Sequence, residues 1–277
     1  MQAETLLDFL LESVTENPNT KLVREKALKL IQEIREAGNH ELADALLKCI
    51  KPRMSHPDFG TYKNYWNYLA KNMLPDLATG GGKDMHEQQY IFLVHECGLQ
   101  KDDLFLDIGT GSLRGSKKVI TYLEKNHFHG MDISEEIISF AKKRVSKNID
   151  LMQKEPSLEI DDRFRFSKAF PGKCFNFCFA KSVFTHIYPD AVWDCLVQLR
   201  KVVHNSGKFY ATIFKDNNVR VYSGDVQKMY YNTEWLAETS NLAGWGFEEI
   251  GDTRVGQYMC LFKPIPVQYC SMSINKV

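Results

Sequence analysis

Two aspartates and the glycines between them are the residues whose types and spacing could do chemistry. Asp107 lies two residues before Gly109, and Thr110 separates Gly109 from Gly111. Glycines at a turn let the backbone take positive φ and let a ligand approach the main chain. Asp132 follows about two dozen residues later, where an acid can accept both hydroxyls of a ribose. The spacing predicts a pocket for a nucleotide-like ligand.

The elements around the glycines are of the kind that would position such a pocket. Phe105, Leu106 and Ile108 form an apolar run long enough for a buried parallel strand. A helix-like pattern returns over 117–123, and the segment 127–134 is typical of a second strand that ends in an acid, Asp132. A helix that starts after a glycine turn points its free N–H groups toward the ligand. The order strand, turn, helix, strand predicts a Rossmann-like unit.

The exact glycine spacing separates two ligand chemistries. A dinucleotide fold favours G-x-G-x-x-G, but here Arg114 occupies the third position and Gly115 comes one residue late. Asp107 would repel a pyrophosphate, whereas it could accept hydrogen bonds from a cationic, amino-acid-like ligand. An NAD-dependent oxidoreductase therefore stays an alternative that the spacing disfavours.

Composition excludes several classes. The 277 residues hold 35 Lys+Arg and 35 Asp+Glu, so no global field attracts nucleic acid or an anionic membrane. The start of the chain lacks a basic signal region, and no apolar run reaches the ~18–20 residues of a membrane span. Seven scattered cysteines are typical of a reduced, cytoplasmic protein, and only Cys174 and Cys178 are closely spaced. We expect no metal site.

Two segments resemble the class I S-adenosylmethionine (SAM) dependent methyltransferases. D-x-G-x-G-x-x-x-G, from Asp107, resembles motif I of this family, in the subset with D-x-G-x-G-S-L-R-G. The run F-x-F-x-F-A-x-S-V-F-T-H-I, from Phe175 to Ile187, is similar to the segment after the fourth strand. The resemblance covers about 84–263 and implies a Rossmann-like sheet of seven strands, mostly parallel, with one antiparallel strand and helices on both faces. SAM is the implied cofactor.

The resemblance assigns the cofactor residues by region. Asp107, Gly109, Thr110, Gly111, Ser112 and Arg114 would hold the methionine part, and Asp132 with Ile133 the ribose. Ala169, Phe170, Lys181 and Ser182 would border the adenine and sulfonium. Alternation over 163–166 predicts the third strand, so Ser167-Lys168-Ala169 stands where the family usually has an acid or amide. This departure puts side-chain recognition of adenine in doubt.

Three residues are candidates for binding or deprotonating the methyl acceptor. His186 follows the fourth strand, where ligands bind in open α/β sheets, and its ordinary pKa suits a general base. Tyr62 belongs to an aromatic stretch before motif I, the place of a cofactor lid in many family members, and Tyr222 to a polar, aromatic insertion over 216–231. A core role for the aromatics and a loop-holding role for His186 are the alternatives. We expect a small-molecule or peptide acceptor, because the chain lacks both a basic stripe and the Asn/Asp-Pro-Pro-Tyr/Phe motif.

Outside these motifs the pattern predicts the remaining architecture. Three short amphipathic helices fill an N-terminal extension, residues 1–55, ahead of the methyltransferase domain, 56–277. They would cover the domain, or dock a partner or a second copy in a homodimer. A turn at 205–208 precedes a fifth strand at 209–214, and two strands at 247–251 and 257–263 close the sheet. A non-catalytic SAM-binding scaffold is the remaining alternative, favoured only by the missing acid after the third strand.

Overall fold

The computed structural model describes residues 33–38, 62–72, 85–222, 228–253 and 256–266. Of the expected N-terminal extension only 33–38 belongs to these ranges, and 33–36 are helical. The other extension helices and the boundary near residue 55 lie outside the described residues. None of the helices in the described ranges is long and apolar enough to cross a membrane.

The described strands form one sheet built on a parallel centre. Strands β3, β2, β1, β4 and β5 lie side by side in that order, all parallel. Strand β9 joins β5 antiparallel, and β8 pairs antiparallel with β9. These seven confirm the expected mostly parallel sheet with one antiparallel strand. Two short strands, β6 and β7, extend the described sheet to nine. The strand bounds are β1 Phe105–Ile108, β2 Phe128–Asp132, β3 Ser157–Ile160, β4 Phe175–Ala180, β5 Val203–Lys215, β6 Arg220–Tyr222, β7 Lys228–Tyr231, β8 Trp245–Asp252 and β9 Tyr258–Pro264.

Helices cover both faces of the sheet. Because side chains alternate along a strand, Leu106 packs in one core with Leu196, while Phe105 packs in the other with Ile120. A π-helical segment, Ile91–Glu96, continues the second helix toward β1. The helices are α1 Tyr62–Asn72, α2 Met85–Tyr90, α3 Lys117–Tyr122, α4 Glu135–Ser146, α5 Ile149–Gln153, α6 Phe166–Ala169, α7 Pro189–Arg200 and α8 Thr233–Leu242.

The third strand is not where the alternation predicts it. It occupies Ser157–Ile160, whereas the predicted 163–166 segment is a turn that leads into α6. Phe164 has a φ of 53°, which no strand allows. Asp161 fixes this turn by accepting the backbone N–H groups of Arg163 (2.8 Å) and Arg165 (3.0 Å). An acid therefore does follow the third strand, and the expected departure from the family is wrong.

The predicted turn at 205–208 lies inside β5. Phe175 pairs with Val203 and Phe177 with Lys208, so the residues between Val203 and Lys208 bulge out of the ladder. A Cβ on Gly207 would lie 2.9 Å from the carbonyl oxygen of His204. The turn-forming residues thus produce a bulge within the strand rather than its start.

Candidate functional site

The glycine turn leaves β1 at the carboxyl edge of the sheet. Gly109 and Thr110 both donate their backbone N–H to the carbonyl oxygen of Met131, at 2.8 and 3.0 Å. Gly109 has a φ of 68°, and a Cβ there would lie 2.4 Å from Cγ2 of Val183. Only glycine allows both this conformation and this close approach of the turn after β4.

Asp107 is the first of two buried acids at this turn, with 4% of its surface exposed. Its Oδ2 accepts the hydroxyls of Thr110 (2.9 Å) and Ser116 (2.5 Å). Burial raises the pKa of Asp107 to about 6, against the lowering effect of these two hydrogen bonds. Asp132 raises this pKa further and Lys181 lowers it.

Asp132, 9% exposed, ends β2 on the other side of the turn. Its Oδ2 accepts the N–H of Gly111 and its Oδ1 the N–H of Ser134, both at 3.0 Å. Burial raises the pKa of Asp132, and these backbone hydrogen bonds lower it. Because the backbone of Ile133 also bonds this carboxylate, three of its roughly four acceptor sites are in use, and it can still accept a ribose hydroxyl.

The rest of motif I is held from neighbouring helices. Arg144 of α4 donates Nη1 to the carbonyl oxygen of Ser112 at 2.6 Å. Arg114 contacts the sulfur of Met85 in α2 at 3.5 Å. Leu113 between them takes a φ of 62°, an uncommon conformation for a side chain of this size. Motif I is therefore a turn fixed by α2 and α4.

The turn after β4 brings Lys181 and Ser182 to the same edge. Phe179 is the register partner of Asp107, so Lys181 two residues later lies beside the glycine turn. Burial and the charge of Arg114 lower the pKa of Lys181, while Asp107 raises it. Ser182 (φ 58°) donates its N–H to Oγ1 of Thr212 at 2.7 Å, and its hydroxyl contacts the Gln257 amide.

Helix α1 crosses this edge above the glycine turn. The rings of Trp66 and His186 meet edge to face, with centroids 5.5 Å apart. The adjacent Asn67 accepts the hydroxyl of Ser134 at 2.6 Å, beyond the end of β2. Because β1 lies between β2 and β4, a helix that touches both ends passes over the turn that follows β1. Helix α1 therefore lies where the lid is expected, and its role over the cofactor stays a prediction.

The other two acceptor candidates belong to elements at the same end. Tyr62 begins α1 and Tyr222 ends β6. The β6–β7 hairpin is tied to the turn after β4, because Met229 donates its N–H to the carbonyl oxygen of Thr185 at 2.8 Å. The side chains of Tyr62 and Tyr222 lie outside the described part of the structure, so their roles stay predictions.

Two of the expected cofactor residues are not brought to this edge. Phe170 is buried and meets His129 and Phe175 edge to face, with centroids 5.3 and 5.8 Å apart. Both partners lie near the amino ends of their strands, at the opposite end of the sheet from the glycine turn. Ala169 packs against the same core. Ile133, in contrast, directly follows Asp132 and is half-buried at the site.

One residue at the site, Asp161, was not predicted from the sequence. Asp161 follows β3, and its N–H donates to the carbonyl oxygen of Asp132 at 3.1 Å, which places it beside the second acid. The alternation of Leu158, Glu159 and Ile160 before it was the signal for the true strand. Gln89 of α2 also reaches motif I, where its amide donates to the hydroxyl of Ser116.

Comparison with known proteins agrees with this geometry. Residues 106–211 match the sequence model of a family described as methyltransferase domain. The structure is similar to the CcbJ methyltransferase of Streptomyces caelestis, with 13% identity, a TM-score of 0.53, and coverage of 72% of this chain and 96% of that one. It is also similar to magnesium protoporphyrin IX methyltransferase from Synechocystis PCC 6803, solved with bound SAM, with 13% identity, a TM-score of 0.53, and coverage of 72% of this chain and 92% of that one. For a SAM-dependent methyltransferase from Clostridium acetobutylicum ATCC 824, the identity is 13%, the TM-score is 0.53, and the match covers 73% of this chain and 100% of that one.

The solved structures establish the fold, and the family match establishes the domain. Residues 106–211 thus match a methyltransferase domain, within a fold that is similar to those of SAM-dependent methyltransferases.

Proposed function

We propose that this methyltransferase transfers a methyl group from SAM to a small-molecule or peptide acceptor that binds under α1. The observation that carries the proposal is the pair of buried acids, Asp107 and Asp132, on either side of a turn that only glycine can form. Trp66 and His186 then form the side of the site where an acceptor would enter.

The residues at the edge fit SAM by their chemistry. Oδ1 of Asp107 has no hydrogen-bond partner among the described residues, so it can accept from the methionine ammonium group. Asp132 would accept the ribose hydroxyls. Lys181 forms no hydrogen bond or ion pair within the described ranges, and a half-buried ammonium favours an anionic partner. The methionine carboxylate is the group that Lys181 would pair with.

The adenine would lie near the end of β3. Asp161 replaces Ala169 and Phe170 as the residue at this place, and it keeps the turn closed through Arg165, whose Nε donates to Oδ2 at 2.7 Å. Ser182 would border the sulfonium from the turn after β4. Gly109, Thr110, Gly111, Ser112 and Arg114 form the turn that would face the methionine part.

The main contribution of the protein to methyl transfer would be to orient the acceptor and SAM relative to each other. Bound SAM supplies a methyl group that its sulfonium has already activated. The protein must align the acceptor with that methyl group, and holding two reactants in line removes much of the entropic barrier. His186 is the candidate base for an acceptor that binds protonated, with Tyr62 and Tyr222 as positioning candidates.

An acceptor assay tests the proposal. The full-length protein is incubated with methyl-labelled SAM and a cell extract that has been separated into small molecules, peptides, proteins and nucleic acids. We expect label in the small-molecule or peptide fraction, and less of it with the His186→Gln variant. Label only in nucleic acid or only in intact protein would contradict the proposed acceptor class.

The hypothesis of a non-catalytic scaffold loses the observation on which it depended. The scaffold hypothesis rested on a missing acid after the third strand, and Asp161 supplies one.

Homodimerisation through the N-terminal helices receives no support from the described residues and stays a prediction, testable by light scattering. The cytoplasmic location also stays a prediction.

A further inference from the structure

A chain of buried side chains connects α2 to the first acid of the site. Nε2 of Gln89 donates to Oγ of Ser116 at 3.2 Å, and this hydroxyl donates to Oδ2 of Asp107 at 2.5 Å. Thr110 donates to the same carboxylate oxygen at 2.9 Å. All four side chains are at most 6% exposed. Two buried hydroxyls, those of Ser116 and Thr110, thus fix the position of Oδ2 of Asp107.

The direction of these hydrogen bonds is fixed by the chemistry of the groups. An ionised carboxylate only accepts, and an amide nitrogen only donates. With Nε2 of Gln89 facing it, Ser116 must direct its one proton to Asp107. The other amide atom, Oε1, lies 2.4 Å from where a Cβ on Gly115 would be. The glycine that comes one residue late in motif I therefore makes room for Gln89.

Both hydroxyls donate to one oxygen of the carboxylate, and the other oxygen, Oδ1, has no hydrogen-bond partner among the described residues. We propose that Gln89 and Ser116 are positioning residues for SAM binding: with Thr110 they occupy Oδ2 of Asp107 and leave Oδ1 for the methionine ammonium group. The inference rests on the proposed function, because it assumes that Asp107 accepts from the bound methionine part.

The charges around Asp107 determine how the proposal can be measured. Asp132 after β2 raises its pKa, and Lys181 after β4 lowers it; Arg114 lies in the turn itself. The titratable groups of α2 are His86, Glu87 and Tyr90, and Glu87 forms an ion pair with Lys118. Within this set the hydrogen bond from Ser116 keeps Asp107 ionised near neutral pH. Its loss would raise the pKa of Asp107 from about 6 toward neutrality.

The test is the pH dependence of S-adenosylhomocysteine binding by calorimetry. We expect Ser116→Ala to bind about fivefold more weakly than the wild type at pH 6, about twofold more weakly at pH 7 and equally at pH 9, where the carboxyl is ionised in both proteins. The ligand's own titration cancels in the ratio of the two proteins. Gln89→Met should act in the same direction, with no additional effect in the Ser116→Ala background.

Two further variants make the test decisive. Ser240→Ala removes a hydroxyl that is equally buried but donates to the carbonyl oxygen of Leu236 in α8, and it should leave affinity unchanged at every pH. Thr110→Val removes the second donor to Oδ2 and should reproduce the pH-dependent loss if Ser116→Ala does not fold. A loss in both Ser116→Ala and Thr110→Val that is the same at pH 6 and pH 9 would overturn the inference. A wild type that binds no S-adenosylhomocysteine would instead overturn the proposed function.

Discussion

At the scale of single residues, the site depends on positions where only one residue type is tolerated. Gly109 combines a left-handed backbone with a contact that excludes a side chain, because Cγ2 of Val183 occupies the place of a Cβ. Asp107 and Asp132 combine burial with hydrogen bonds that favour their charged forms. The sequence also singles out these three residues, because their chemistry depends on local spacing; their roles toward SAM stay predictions.

Gly109→Ala separates backbone strain from steric exclusion. Gly172 has a φ of 73° with no atom within 4 Å of its Cβ position, so Gly172→Ala carries the strain alone. We expect Gly172→Ala to lower the free energy of unfolding by about 1–2 kcal/mol, and Gly109→Ala to lower it by more and to abolish S-adenosylhomocysteine binding. Chemical denaturation with calorimetry measures both. Equal losses of stability, with binding kept in Gly109→Ala, would contradict the close approach of Val183.

His129 gives a pH-dependent prediction. It is 3% exposed, and its Nδ1 has no hydrogen-bond partner among the described residues. Burial lowers its pKa to about 4, below the ordinary 6.5, so the unfolded chain binds the proton more strongly. Stability should therefore fall as the pH decreases from about 6.5 to 4, by on the order of 2–3 kcal/mol.

His129→Phe should remove this loss. Asp107, with its pKa raised to about 6, acts in the opposite sense, because it favours the folded state as the pH falls toward 4. The difference between wild type and variant isolates His129, and the exposed His204→Gln serves as the control. Urea denaturation of the three proteins across this pH range measures their free energies of unfolding. Parallel stability curves for wild type and His129→Phe would show that His129 is not held neutral.

At the scale of elements, α1 and the turn after β4 enclose the space above the glycine turn. Trp66→Ala removes the ring that meets His186, whereas Tyr68→Ala alters a residue of the same helix that is 48% exposed. We expect Trp66→Ala to raise the acceptor KM by up to about tenfold, because an aromatic pair contributes about 0.5–1.5 kcal/mol, and Tyr68→Ala to change it little. Steady-state kinetics with the identified acceptor measures both. Equal KM values for the two variants would mean that α1 does not line the acceptor site.

The elements also show why some of the fold could be predicted and some could not. Strands β1, β2 and β4 are apolar runs that end in recognisable residues, so their positions followed from the sequence. The segment 163–166 alternates like a strand, but the hydrogen bonds of Asp161 impose a turn there. The contacts of Ser182 with Thr212 and Gln257 join residues that are 30 and 75 positions apart, and no local pattern indicates them.

At the scale of the whole molecule, two cores fix the sheet and leave one edge for chemistry. The carboxyl ends of β1, β2 and β4 bring Asp107, Asp132 and Lys181 together although they are far apart in sequence. In open α/β sheets the ligand binds at this edge. The balanced charge of the chain, 35 basic against 35 acidic residues, leaves recognition to these local groups rather than to a global field.

Calorimetric titration of the full-length protein with S-adenosylhomocysteine, beside NAD under the same conditions, measures whether the two buried acids bind this ligand. We expect binding in the micromolar range, at least about tenfold weaker in Asp107→Ala and in Asp132→Ala, and unchanged in the exposed Asp150→Ala. NAD should not bind. Binding of NAD in place of S-adenosylhomocysteine, or binding that neither buried acid affects, would contradict the account.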